Sequence, residues 1–315
     1  MNTLNWLLDS DPAVRWQAMR DLAAAPAGVL REERARVARE GLGAEILAHQ
    51  LPDGTWRRPG APVWLTTLFT LQLLRATGID PDHDAVQDAM GRLETGVRWN
   101  DLGGCWELRP PETGGNTLFE GEEEPCINGG ALASSVYFGR AQGALAQRLL
   151  AEQLEDGGWN CEAPKSRCSS FHTTICVLEG LLEYEHATGT TAEIRPARQK
   201  AEEYLLRRGL FRRLSTGEIV DSKFLACAFP SRYSYDILRA LDYFRAAGET
   251  PDPRATEAIE IIRNKRQNDG RWLLDAQYDE GIAVALQERT GGPSQWNTLR
   301  ALRVLKWNEG ASAPR

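Results

Sequence analysis

Two kinds of apolar pattern alternate along this chain. Residues 31–49, 81–93, 140–153, 193–207 and 253–266 carry apolar side chains at helical spacing among Ala, Leu, Glu and Arg, as helices buried along one stripe do. Residues 63–76, 126–138, 171–184, 232–244 and 295–306 are apolar on most sides and carry little charge at their starts, so they predict helices buried nearly all round. An earlier helix opens at Ser10-Asp-Pro-Ala-Val-Arg15, with Ser or Asp as cap and Pro in the first turn. The alternation predicts an all-α protein of about five or six helical hairpins in an outer and an inner layer, either an open array of paired helices or a closed ring.

The joints between these helices repeat as well. Gln50-Leu-Pro-Asp-Gly-Thr-Trp56 and Gln153-Leu-Glu-Asp-Gly-Gly-Trp159 share a pattern, and Gln267-Asn-Asp-Gly-Arg-Trp272 is one residue shorter. A degenerate copy, Asp101-Leu-Gly-Gly-Cys-Trp106, lies between the first two, and Thr216-Gly-Glu-Ile-Val-Asp221 stands where a worn copy is expected. The period is about 50 to 57 residues. Each Asp-Gly pair is a turn, because glycine reaches positive φ without steric cost and Asp bonds its own backbone nearby. One domain spans residues 1–315: N-terminal helices over 1–49, repeats over 50–308, and a disordered tail over 309–315.

Charge and composition narrow the function. With 37 Lys and Arg against 44 Asp and Glu, the net charge is -7, and no basic run interleaved with aromatics offers a track for phosphates, which argues against nucleic acid as a partner. The first ten residues have neither a basic nor an apolar leader pattern, and no stretch approaches the roughly 18 apolar residues of a membrane span. A soluble cytoplasmic protein is expected. Four of the six cysteines, Cys126, Cys161, Cys168 and Cys176, fall within one-sixth of the chain, with Cys105 and Cys227 outside it. In a reducing compartment thiols so grouped suit a core, a metal site or a nucleophile better than a disulfide framework.

A Gln followed by Asp-Gly-x-Trp at the end of an outer helix resembles the QW repeat of squalene cyclases and its weaker form in protein prenyltransferase β subunits. The resemblance spans nearly the whole chain. It implies an α/α toroid, a ring of about five to six hairpins whose inner helices aim their N-termini at one mouth of a central cavity. The repeat Trp and Gln residues themselves read as packing and capping groups. At the implied mouth lie Trp64, the segment Glu124-Pro-Cys126-Ile-Asn128, Phe171-His172, Arg232-Tyr233 and Gln295-Trp296. Trp64, Asn128, Phe171, Arg232, Tyr233 and Trp296 are the candidate substrate-binding residues, their aromatic faces suited to an isoprenoid or a carbocation.

The chemistry implied depends on which branch is compared. Class II terpene cyclases carry Asp-x-Asp-Asp as a proton donor, and here the corresponding stretch is Glu124-Pro125-Cys126-Ile127, which lacks it. Protein prenyltransferase β subunits bind zinc through Asp-x-Cys at one inner helix and a His at the next. Glu124-Pro-Cys126 is similar to the first element, and the segment around His172, with Cys176 one turn on, to the second. The resemblance therefore implies Zn2+ held by Glu124, Cys126 and His172, with one position open for a thiol or water. Cys161 and Cys168, in the loop before His172, can replace Glu124 as ligands. The basic residues that grip a diphosphate in that family are absent, and Glu120-Gly-Glu-Glu-Glu124 stands there with opposite sign.

Three functions remain open on the sequence. The first is a prenyltransferase-like or terpene-cyclase-like enzyme acting on an apolar isoprenoid-like or thiol-containing small molecule, with Glu124 and Cys126 in catalytic roles. The second is a metal-free cyclase using the glutamate cluster as its acid. The third is a non-catalytic helical-repeat binding protein. A partner subunit is possible but not indicated.

Overall fold

The computed structural model describes residues 2–99, 106–108, 117–189, 192–248 and 250–312. The all-α class holds. In chain order the helices are α1 (Thr3–Leu8), α2 (Pro12–Asp21), α3 (Ala27–Arg36), α4 (Gly41–Ala48), α5 (Val63–Thr77), α6 (Asp84–Gly96) and α7 (Leu118–Gly121). They continue as α8 (Pro125–Tyr137), α9 (Gly143–Ala151), α10 (Phe171–Thr188), α11 (Ile194–Leu206), α12 (Ile237–Ala246), α13 (Thr256–Asn264) and α14 (Gln295–Ser312). Two short antiparallel pairs accompany them, β1 (Val97–Trp99) with β2 (Trp106–Leu108), and β3 (Trp272–Leu273) with β4 (Pro293–Ser294). No helix among the described residues is long and apolar enough to cross a membrane.

The chain divides into two compact units where the sequence suggested one domain. One comprises Met1–Arg34, Ala201–Tyr278 and Leu286–Arg315; the other comprises Ala35–Lys200 and Asp279–Ala285. The helix expected over 31–49 is two helices, α3 and α4, because Gly41 takes a φ of 67° at the joint. Helix α12 begins at Ile237, five residues later than expected. The Asp236 carboxylate accepts from the Arg239 amide at 2.8 Å and caps the helix there, while Arg232, at a φ of 48°, lies in the preceding turn. At the other end of the chain, α14 continues to Ser312, so residues 309–312 are helical rather than part of a tail.

The joints between hairpins are built alike. The indole N–H groups of Trp56, Trp159 and Trp272, all fully buried, donate to the carbonyls of Ile46, Leu149 and Ile262 at 2.7, 2.6 and 2.7 Å. Each acceptor lies ten residues upstream in the last turn of an outer helix, whose final carbonyls have no partner within the helix. The backbone N–H groups of the same tryptophans donate to the hydroxyls of Thr67, Thr174 and Thr298 on the following inner helices α5, α10 and α14. One tryptophan thus fastens both helices of its hairpin. Gln50 and Gln153 extend the tie to the next outer helix, donating to the Ala85 and Ala197 carbonyls at 2.7 and 2.8 Å. Gln267 bonds instead to the Lys265 carbonyl, because in the shorter copy it stands in the register of Leu51 and Leu154. The segment Thr216–Asp221 forms a hairpin turn, with Arg213 N–H donating to Glu218 and Gly217 at a φ of 72°. Asp101 to Cys105 lie outside the described residues, as does the side chain of Trp106.

In the second unit the inner helices α8 and α10 approach until their backbones meet. A Cβ on Gly180 would lie 2.5 Å from the Gly129 carbonyl oxygen, and one on Gly129 would lie 2.5 Å from the Cys176 carbonyl oxygen. That approach fixes where the starts of α8 and α10 stand relative to one another.

Candidate metal centre

Helix α8 begins at a Glu-Pro step. Glu124 occupies the N-cap position without capping the helix through its side chain, and Pro125, with its preset φ, opens the first turn. The Glu124 carboxylate is therefore available to other groups, and it accepts from the Cys126 thiol at 3.6 Å. The neighbouring Glu122 behaves differently. Its carboxylate turns inward to accept from the Glu124 amide at 2.8 Å and is 3% exposed.

The second component arrives on the loop after Trp159. Buried Trp159 anchors the start of that loop and accepts from the Ser170 amide at 2.8 Å, while Asn160 donates across the loop to the Cys168 carbonyl at 2.7 Å. Cys161 is held between these ties. Its amide donates to the Thr173 hydroxyl at 3.4 Å, and its sulfur lies 3.4 Å from the same oxygen. Thr173 is in the first turn of α10, where Ser170 caps the helix.

The donor atoms of Glu124, Cys126 and Cys161 consequently lie within 4.8 Å of one another. Among the described residues this is the group of potential metal ligands that converges. The two thiols are coupled. Interaction with the Cys161 sulfur and burial hold the Cys126 thiol far above the ordinary range, and the charges of Cys176, Cys161 and Glu124 act in the same direction. The same interaction lowers the Cys161 thiol. Burial raises the Glu122 carboxyl from 4.5 to about 7, reinforced by the Glu124 charge and opposed by the backbone N–H groups it accepts from.

A donor set of two sulfurs and one carboxylate oxygen matches zinc, which binds thiolates and carboxylates and tolerates a tetrahedral arrangement with one outside ligand. The residues present fit that ion, since three donors already gather without rearrangement of the helices.

Glu124 and Cys126 are thus brought together as the sequence suggested. His172 does not belong to the converging group: it is the half-buried second residue of α10, while the loop carries Cys161 in to lie against Thr173. Cys161 joins Glu124 instead of replacing it. Cys168 is exposed, and Cys176 and Cys227 are buried.

The candidate substrate contacts scatter. In the second unit Trp64 and Phe171 are buried near the starts of α5 and α10. Asn128 is fully buried, donating to the Glu122 carbonyl at 2.9 Å with its Oδ1 unpartnered. In the first unit Trp296 is stacked on Phe229 with ring centroids 4.2 Å apart, so Phe229 covers one of its faces. Half-buried Arg232 and exposed Tyr233 form a cation–π pair in the turn before α12, away from the helix start where the pattern placed them. Thr173 and the burial of Glu122 were missed in the sequence. The signal for Thr173 is its place in the first turn after a Ser cap; nothing in an acidic run marks one carboxylate as buried.

No family model and no curated protein matches the chain. Among solved structures it is similar to the type II terpene cyclase MstE from Scytonema without ligand, with 17% identity, a TM-score of 0.47, and coverage of 94% of this chain and 86% of that one. A single-substitution variant of MstE gives 19% identity and a TM-score of 0.48 over the same shares. Another variant, in complex with its substrate geranylgeranyl dihydroxybenzoate, gives 17% and 0.45, again over 94% and 86%.

Proposed function

We propose that the chain is a cytoplasmic zinc-dependent enzyme, of the terpene-cyclase and prenyltransferase kind, acting on an apolar isoprenoid-like or thiol-containing small molecule at Glu124, Cys126 and Cys161. The observation that carries this reading is the convergence of those three donors within 4.8 Å at the start of α8. Bound zinc supplies Lewis acidity, which activates a thiol or water at neutral pH. The protein's own groups do the rest. Cys126 and Cys161 supply thiolate, Thr173 positions the Cys161 sulfur, and Glu124 is the one donor of the three placed to accept a proton as well as to bind. The close approach at Gly129 and Gly180 preorganises the two helix starts.

Metal analysis of the purified chain tests the reading. About one zinc per chain, lost in Cys126→Ala and Cys161→Ala, supports it. A metal-free preparation that takes up no zinc under reducing conditions rejects it.

One observation favours a second reading. Glu122 is a buried carboxyl raised to about 7, so near neutrality a part of it still carries the proton that the acid of a metal-free cyclase needs. Turnover of a polyprenyl substrate by the zinc-free protein, abolished in Glu122→Gln, would select this reading over the first.

A further inference from the structure

The convergence that suits a metal also places two thiols side by side, with consequences when the metal is gone. Cys126 and Cys161 are both half-buried and unlinked, and their sulfurs lie within 4.8 Å of each other. One sits on the first turn of a helix and the other on the loop that Thr173 holds against it. The alternative partners are less well placed. Cys176 is buried within α10, and Cys168 belongs to the same loop as Cys161 but lies outside the converging group.

We propose that Cys126 and Cys161 form a reversible disulfide with a low-molecular-weight disulfide as oxidant, and that this state and the zinc-bound state exclude one another. The inference rests on the metal reading only for its second half. In the reaction, the thiolate of one cysteine attacks a sulfur of the small disulfide, whose S–S bond breaks and releases one thiolate. The second cysteine, its proton passing to solvent, attacks the protein sulfur of the mixed disulfide and expels the other half as a second thiolate. Two protein thiols are oxidised and one small disulfide is reduced to two thiols. Both sulfur donors are consumed, so a metal held by them is released, and a bound metal blocks the attack by occupying the thiolates. The site would then work only while its compartment stays reducing.

The test uses the full chain, stripped of metal with a chelator under reductant and then equilibrated in glutathione buffers of rising disulfide fraction. Digestion with trypsin and a Glu-specific protease puts Cys126 and Cys161 on different peptides, because Arg140, Arg148, Glu152 and Glu155 lie between them, and parts Cys161 from Cys168 at Glu162, Lys165 and Arg167, while Cys168 and Cys176 stay on one peptide. The expected result is a peptide pair joined through Cys126 and Cys161, reversed by dithiothreitol, retained in Cys168→Ala, and suppressed at least tenfold by prior loading with zinc. A link between Cys161 and Cys168, or stable glutathione adducts on Cys126 and Cys161 without a link, overturns the disulfide. Zinc uptake by the reduced chain is measured in parallel. Link formation without zinc uptake upholds the disulfide and overturns the metal reading; zinc uptake without the link does the reverse.

Discussion

Replacing Gly180 by Ala tests the helix contact on which the candidate site stands. A Cβ there would lie 2.5 Å from the Gly129 carbonyl oxygen and 3.2 Å from the Gly129 Cα, and both are backbone atoms with no rotamer to yield. Carbon and oxygen in close contact between helices stand about 3.3 to 3.6 Å apart, so α8 and α10 must separate. Overpacking of this kind costs about 1 to 3 kcal/mol, and a backbone clash belongs at the upper end. Alanine gains about 1 kcal/mol over glycine in helix propensity, which leaves a net loss of about 2 kcal/mol. Gly91 in α6 is the control, because its Cβ would meet only the tip of Arg140 at 3.8 Å, an ordinary contact. Gly91→Ala should therefore stabilise by up to about 1 kcal/mol, so the same substitution has opposite signs at the two positions. Urea unfolding followed by circular dichroism measures both. Because the starts of α8 and α10 carry Cys126 and Thr173, the separation in Gly180→Ala should also weaken zinc binding about tenfold or more. A Gly180→Ala protein as stable as Gly91→Ala would refute the account of this contact.

Trp159→Ala should destabilise by roughly 3 to 5 kcal/mol, since it empties a fully buried site and leaves the Leu149 carbonyl unpaired; a chemical melt like that of the parent would contradict the fastening role given to the repeat tryptophans. Cys126→Ala and Cys161→Ala should each abolish stoichiometric zinc binding, while His172→Ala and Cys227→Ala keep it, as read by equilibrium dialysis with metal analysis. Loss of zinc in the His172 variant would restore the histidine as ligand. Between pH 4.5 and about 7 the folded chain keeps the Glu122 proton that the unfolded chain has lost. Stability should therefore fall as pH rises through that window and level off above it. Glu122→Gln should remove this contribution, and an unchanged slope in urea melts across the range would show that the buried carboxyl does not titrate there.

Helix class and much of the joint chemistry were legible in the sequence because they depend on residues a few positions apart. Helices α5, α10 and α14 begin at Val63, Phe171 and Gln295, where the change of pattern placed them, and the Asp-Gly turns put Trp56, Trp159 and Trp272 ten residues beyond their acceptors. Where a local signal had a rival, the sequence misled. Residues 232–235 run into α12 without a Gly or Pro break, yet the Asp236 cap starts the helix after them and leaves Arg232 and Tyr233 in a turn. The third member of the converging group was decided at longer range. Cys161 stands 35 residues after Cys126, and His172 was as good a candidate on spacing alone. Which of them approaches Glu124 and Cys126 depends on how closely α8 and α10 pack, on the hydrogen bonds that shape the loop after Trp159, and on the Thr173 hydroxyl that holds the sulfur. The same holds for Glu122 and Glu124, which the sequence presents as equal members of an acidic run. Only the path of the backbone into α8 turns one carboxylate inward, where burial raises it to about 7, and leaves the other facing the thiols.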